Sequence, residues 1–205
     1  MCKEENLQIT RFLTVGDREG LRVFVSPKDK LPPAYRKKGE LIISVDDFIE
    51  LSLKLGPISP EGFDALAAAA DRYGACCAAV RMLSVGACSQ KKLAEKLRTK
   101  GFSSETADMA VSFAATRGYI DERAQIESYL RLYIENRNYG PRKILPALLS
   151  RGYAKSDISD CLLAYTEADF AQAKARFLLQ KFKKETPDTP DEAKKMRAAL
   201  YKQGF

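Results

Sequence analysis

KKLAEKLRTKGF at residues 91–102, RKILPALLSRGY at 142–153 and KKMRAALYKQGF at 194–205 are three versions of one pattern. Each opens with two basic residues and closes on a glycine followed by an aromatic ring. Apolar groups occupy the third and seventh positions: Leu93/Leu97, Ile144/Leu148 and Met196/Leu200. Those positions lie one helical turn apart on one face. A glycine just past the last turn suits the left-handed conformation that ends a helix, and the aromatic beyond it folds back onto that turn. Gly101, Gly152 and Gly204 are 51 and 52 residues apart. A period near fifty that holds about three helices is the mark of a tandem array.

Helical spacing extends outward from these segments. Tyr129, Leu130, Tyr133 and Ile134 share one face, as do Ile158, Cys161, Leu162 and Tyr165. Ser59-Pro60 supplies a cap and a first-turn proline, Asp121 caps a helix from Glu122, and Gly140-Pro141 opens another. The pattern predicts helices over 61–83, 90–100 and 104–117, then 122–136, 141–151 and 157–165, then 167–183 and 191–203. The third unit has no closing helix, so Met196, Leu200 and Phe205 either lost a partner beyond the chain or pack back on the second unit. Pro146, five residues after Pro141, should bend its helix or cost about 3 kcal/mol.

The first fifty-seven residues read differently. Leu7, Ile9, Leu13 and Val15 alternate as in a half-buried strand, interrupted by Arg11; residues 16–20 read as a turn, and Leu21, Val23 and Val25 alternate in the return strand. A loop of net charge +4 follows over 26–39, and Leu41–Ile43 suggests a short third strand. Ser44 caps a helix through Asp47 that should end at Gly56-Pro57. The expected fold is mainly α: tandem three-helix repeats in an elongated, curved array, with a small N-terminal β-hairpin and helix. The expected boundaries are 1–57, 58–118, 119–165 and 166–205.

Charge follows the repeat. The three segments carry +4, +3 and +4, and their combined +11 leaves a net −4 on the remainder of a chain whose total is +7. One lysine-rich helix is usually a solvated face. Three at matching positions point to an extended polyanion or a polymer of repeating subunits. The candidate contacts are Lys91, Lys92, Lys96, Arg98, Lys100, Arg142, Lys143, Arg151, Lys194, Lys195, Arg197 and Lys202.

Histidine is absent, which removes the commonest general base and the commonest metal ligand. The carboxylate pairs Asp46/Asp47 and Asp121/Glu122 lack a convergent polar cluster, and capping accounts for Asp47 and Asp121. No catalysis, metal or cofactor is expected. The five cysteines have no CxxC spacing and read as reduced thiols. No apolar run reaches membrane-spanning length and the N-terminus is polar, so a cytoplasmic monomer with no membrane partner is expected. Phe102, Tyr119, Tyr133, Tyr139, Tyr153 and Phe170 have the spacing of core residues, although aromatic rings also stack on bases.

GYIDER at 118–123, YGPRKI at 139–144 and LRTKGF at 97–102 resemble the RecX family of recombination regulators, over roughly residues 60–205. The hairpin-then-helix start is similar to the N-terminal extension of some members. The resemblance implies a non-catalytic protein of DNA repair, homologous recombination and the SOS response. Such a protein binds the RecA filament along its groove, touches single- or double-stranded DNA weakly and salt-sensitively, and inhibits strand exchange and ATP turnover by RecA or promotes filament disassembly. Pro146, the Ser84–Cys88 linker and the missing last helix depart from the family pattern. The competing reading is a general nucleic-acid-binding helical protein; lysine dominates its basic helices, however, and lysine meets phosphate rather than base edges.

Overall fold

The structure is a computed structural model describing residues 7–15, 20–36 and 38–205; residues 16–19 of the expected turn at 16–20, and Cys2, lie outside the described residues. The chain is mostly helical, with a small N-terminal sheet. It forms two compact units, residues 1–82 with 96–116 and residues 83–95 with 117–205.

In the first unit, strands β1 (Gln8–Thr14), β2 (Gly20–Ser26), β3 (Glu40–Ser44) and β4 (Gly56–Pro57) pair antiparallel in the order β3-β2-β1-β4. The expected hairpin is therefore the centre of a four-stranded sheet. A register shift between Ile9 and Arg11 inserts one extra residue, so the alternation reverses beyond it. Phe12 then packs with the core and Leu13, expected inside, is 43% exposed. The loop after β2 contains a 3-10 turn, Lys28–Lys30, and one α-helical turn, α1 (Pro33–Arg36). Helix α2 (Val45–Glu50) is capped as expected, the Asp47 amide donating to Ser44 Oγ at 2.9 Å, but ends six residues earlier than the sequence suggested. Ser52, at φ 48°, turns the chain, and Gly56-Pro57 joins the sheet instead.

Helix α3 (Pro60–Val85) runs under the sheet, whose inner residues Ile9, Val23, Val25, Leu41 and Ile43 bury against Phe63, Leu66 and Ala69. Fully burying such aliphatic chains contributes about 1.5–3 kcal/mol each. The Phe102 ring packs on α3 at Gly74, 3.8 Å from where a Cβ would lie, an ordinary van der Waals distance. Helices α4 (Gln90–Thr99) and α5 (Ser104–Thr116) complete the first repeat.

In the second unit, α6 (Glu122–Arg131) begins at its Asp121 cap, where the Ala124 amide donates at 2.9 Å. It continues as a π turn, Leu132–Asn136, and is followed by α7 (Pro141–Leu149) and α8 (Lys155–Leu162). Ile126, Leu130, Ile134, Ile144, Leu148 and Ile158 are the fully buried centre of this repeat. Pro146 is exposed, and α7 continues past it to Leu149. Helices α9 (Glu167–Phe182) and α10 (Pro190–Gln203) follow. Phe205, at the end of the third repeat, packs against the second repeat's core.

Candidate nucleic-acid interface

The repeated dodecamer ends the same way three times. The amides of Gly101, Gly152 and Gly204, all at φ between 90° and 97°, donate to Arg98, Leu149 and Tyr201. The amides of Phe102, Tyr153 and Phe205 donate to Leu97, Leu148 and Leu200, the seventh-position leucines. This paired closure satisfies carbonyls that a helix end would otherwise leave bare.

In the second unit these ends are joints. Gly204, ending α10, meets the first turn of α7: the Gly140 amide donates to Gln203 O at 2.9 Å and the Arg142 amide to Gly204 O at 3.2 Å. Lys143 Nζ donates to Gln203 Oε1 at 3.1 Å, and Gln203 Nε2 donates to Arg137 O at 2.6 Å. Gly152, just past α7, meets the first turn of α4 through a side chain instead, with Ser89 Oγ donating to Arg151 O at 2.7 Å. Ser89 and Gly140 are 51 residues apart and hold equivalent places. The α10–α7 joint sets the negative carbonyl end of one helix on the positive amide end of the next. Side chains cannot intrude: a Cβ on Gly152 would stand 2.6 Å from Ser89 Oγ, and one on Gly140 would overlap the Gly204 carbonyl.

The predicted cations separate into groups. Arg142 and Lys143 stand on α7 with Arg151 just past its end, Lys194, Lys195, Arg197 and Lys202 on α10, and Lys91 and Lys92 on the first turn of α4. Lys96, Arg98 and Lys100 belong to the first unit. Two of the candidates are neutralised internally, Lys92 by Glu95 at 2.7 Å and Arg98 by Asp108 at 2.7 Å. Arg142, Lys143 and Arg151 have no ion pair among the described residues.

Arg151 is held by neutral groups. Its Nε donates to Tyr133 OH at 3.0 Å, its Nη1 donates to Tyr129 OH at 2.8 Å, and the guanidinium lies 4.2 Å from the Tyr129 ring centre. Four tyrosine rings run in series, Tyr153–Tyr129–Tyr133–Tyr139, at 6.1, 5.9 and 5.3 Å. Arg137 lies over Tyr133 at 5.7 Å and Lys143 over Tyr139 at 4.0 Å. Tyr153 OH donates to Gln125 Oε1, and burial pushes its pKa up to about 12. Helical spacing placed Tyr133 and Tyr153 in the core, where they are. It gave no sign that the rings align, and Arg137 was missed because it follows the periodic stretch. Tyr119, expected in the core, is 50% exposed.

The carboxylates considered for chemistry have structural roles. Asp47 pairs with Arg72 at 2.6 Å, and Glu122 Oε1 accepts the Gln90 amide at 2.7 Å where α4 begins. Beside that contact lies a cavity of about 600 Å³ lined by Lys91, Glu122, Tyr153 and Lys155, among others. Among the described residues no group of three metal-ligating side chains forms, no helix is long and apolar enough to cross a membrane, and Cys76, Cys77, Cys88 and Cys161 are unpaired.

Residues 78–113, from the second half of α3 through most of α5, match the family model described as "RecX, first three-helix domain". The chain is 31% identical over 130 residues to regulatory protein RecX of Caldanaerobacter subterraneus, a match spanning 62% of each chain. It is 32% identical over 114 residues to regulatory protein RecX of Pseudomonas entomophila, covering 56% of this chain and 72% of that one. The fold is similar to a crystal structure of regulatory protein RecX with a TM-score of 0.74 at 20% identity, over 97% of this chain and 94% of that one. It is also similar to RecX from Lactobacillus salivarius, with a TM-score of 0.58 at 21% identity, over 66% and 88%. The repeat, its glycine-aromatic closures and these likenesses agree: the chain belongs to the RecX family of regulatory proteins.

Proposed function

We propose that this protein is a non-catalytic cytoplasmic regulator that binds the RecA–DNA filament as a monomer and inhibits RecA in recombination and repair. The observation that carries the reading is the pair of head-to-tail joints at Gly152 and Gly204, which link basic helices in series. A series of cationic helix faces repeating every 51 or 52 residues matches a ligand that is itself periodic and anionic. Membership in a family of regulatory proteins supports regulation over turnover, and the structural employment of Asp47, Asp121 and Glu122 supports the same. Inhibition requires unequal affinity for active and inactive filament, since equal binding shifts no equilibrium.

The test is RecA ATP hydrolysis on single-stranded DNA with the protein added at stoichiometric levels. Inhibition is expected. Loss of at least tenfold in potency is expected for the variant Lys91→Glu/Arg142→Glu/Lys143→Glu. A wild-type protein without effect on RecA contradicts the reading, and a variant that inhibits as well as wild type removes the basic helices from the contact.

A further inference from the structure

Among the described residues, some cations are paired with carboxylates and others are held by neutral groups. Arg22, Arg72, Lys92 and Arg98 are each paired with a carboxylate, so their charge is spent within the fold. Arg137, Lys143 and Arg151 are held instead by phenol rings, phenol hydroxyls and a side-chain amide, and none has an ion pair among the described residues. Arg151 is fixed twice. Its carbonyl is anchored by Ser89 Oγ, and two of its five guanidinium donors by Tyr133 and Tyr129. Its outer donors face solvent on an exposed residue. Ordering a long side chain normally costs entropy when it binds. Here the fold has already met that cost, with neutral partners that leave the full positive charge in place.

We propose that the row Tyr153–Tyr129–Tyr133–Tyr139, with Arg151, Arg137 and Lys143 upon it, is a seat for single-stranded nucleic acid. Phosphates meet the three cations, and bases stack on the outer face of the Arg151 guanidinium and pack against the partly exposed edges of Tyr129 and Tyr139. This rests on the reading that the protein engages a DNA-bearing filament, and narrows its contact to the second repeat. Nucleic acid is favoured over an acidic peptide because aromatic rings alternate with the cations, an arrangement that bases use and carboxylates do not. A single strand is favoured over a duplex because only unpaired bases reach stacking surfaces. Lys92 and Arg98, although inside the repeated basic segments, take no part.

The test is fluorescence anisotropy of a labelled oligothymidylate with the full chain, without RecA, across a salt series. Arg137→Ala/Lys143→Ala/Arg151→Ala is expected to weaken binding at least tenfold. It should also flatten the slope of log K against log salt by about 2, at roughly 0.7 for each lost single-strand phosphate contact. Tyr129→Phe/Tyr133→Phe keeps the rings and removes the hydroxyls that hold Arg151, so a severalfold loss with an unchanged melting temperature is expected. Lys92→Ala/Arg98→Ala should bind within twofold of wild type. The proposal is overturned if the triple variant binds as wild type, if Lys92→Ala/Arg98→Ala weakens binding as much, or if polyglutamate of matched charge competes as well as the oligonucleotide. Run beside the RecA assay, the two claims separate. Wild type that inhibits RecA while the triple variant keeps its oligonucleotide affinity overturns the seat alone. A wild type without effect on RecA, beside a triple variant that loses the oligonucleotide, upholds the seat and contradicts the RecA role.

Discussion

A methyl group at residue 140 isolates the joint between α10 and α7. Gly140 has an ordinary φ of −81°, so alanine carries no backbone strain there, yet its Cβ would overlap the Gly204 carbonyl and stand 2.7 Å from the Phe205 amide. Gly140→Ala should therefore lose about 1–3 kcal/mol in urea denaturation. Gly101→Ala is the complement: φ is +97° and the space around it is open, so only the backbone term of about 1–2 kcal/mol applies. Two titrating groups give further outcomes. Burial, followed by the nearby Cys77 and Asp47, pushes the Cys76 thiol up to about 11, so its alkylation should be slow at pH 8 and accelerate only as the pH approaches 11. Tyr153 OH is raised from 10.0 to about 12, so folding favours its neutral form. Its contribution is complete below pH 10 and is lost as the pH rises through 12. Alkaline unfolding of the wild type should therefore steepen across that window, and Tyr153→Phe should flatten it.

At the scale of elements, the π turn after α6 is the feature that helical periodicity could not reveal. Its extra residue per turn leaves the Ile134 carbonyl and the Asn138 side chain needing partners, and α9 supplies them. Arg176 Nη2 donates to Ile134 O at 3.2 Å, Arg176 Nε donates to Asn138 Oδ1 at 3.0 Å, and Asn138 Nδ2 donates to Gln180 Oε1 at 3.1 Å. Asn138 is 2% exposed and sits at φ 52°, a conformation that asparagine tolerates better than most residues. Asn138→Leu should cost about 2–4 kcal/mol by stranding the guanidinium and straining the backbone, read as a lowered urea midpoint. The helices themselves were legible: Asp121, Gly140-Pro141 and the closing glycines mark ends that local chemistry fixes. The first strand was legible only to Ile9. A bulge is a pairing event between strands, and the alternation of Leu7, Ile9 and Leu13 carries no trace of the insertion. For the same reason β4 was read as a helix end, since two residues joining a sheet edge have no periodicity.

For the molecule as a whole, repetition was the strongest signal in the sequence, because each copy of the dodecamer makes the same closure with the same leucine. What each closure touches was not legible. Gly152 and Gly204 are crowded by the preceding repeat and Gly101 is open, although the three lie in near-identical sequence contexts. The candidate site was half legible: basic residues could be counted, but whether a carboxylate neutralises them depends on partners such as Asp108, ten residues from Arg98 on another helix. The joints link the cationic helices of the second unit in series, and the proposed function rests on that series. The most direct measurement is a titration of labelled protein onto preassembled RecA filaments on single-stranded DNA, against the same DNA alone, at several salt concentrations. Tighter binding to the filament than to bare DNA, weakened at least tenfold by Arg142→Glu/Lys143→Glu, is the predicted result. Equal affinity for filament and bare DNA, or a variant that binds the filament as wild type does, would contradict it.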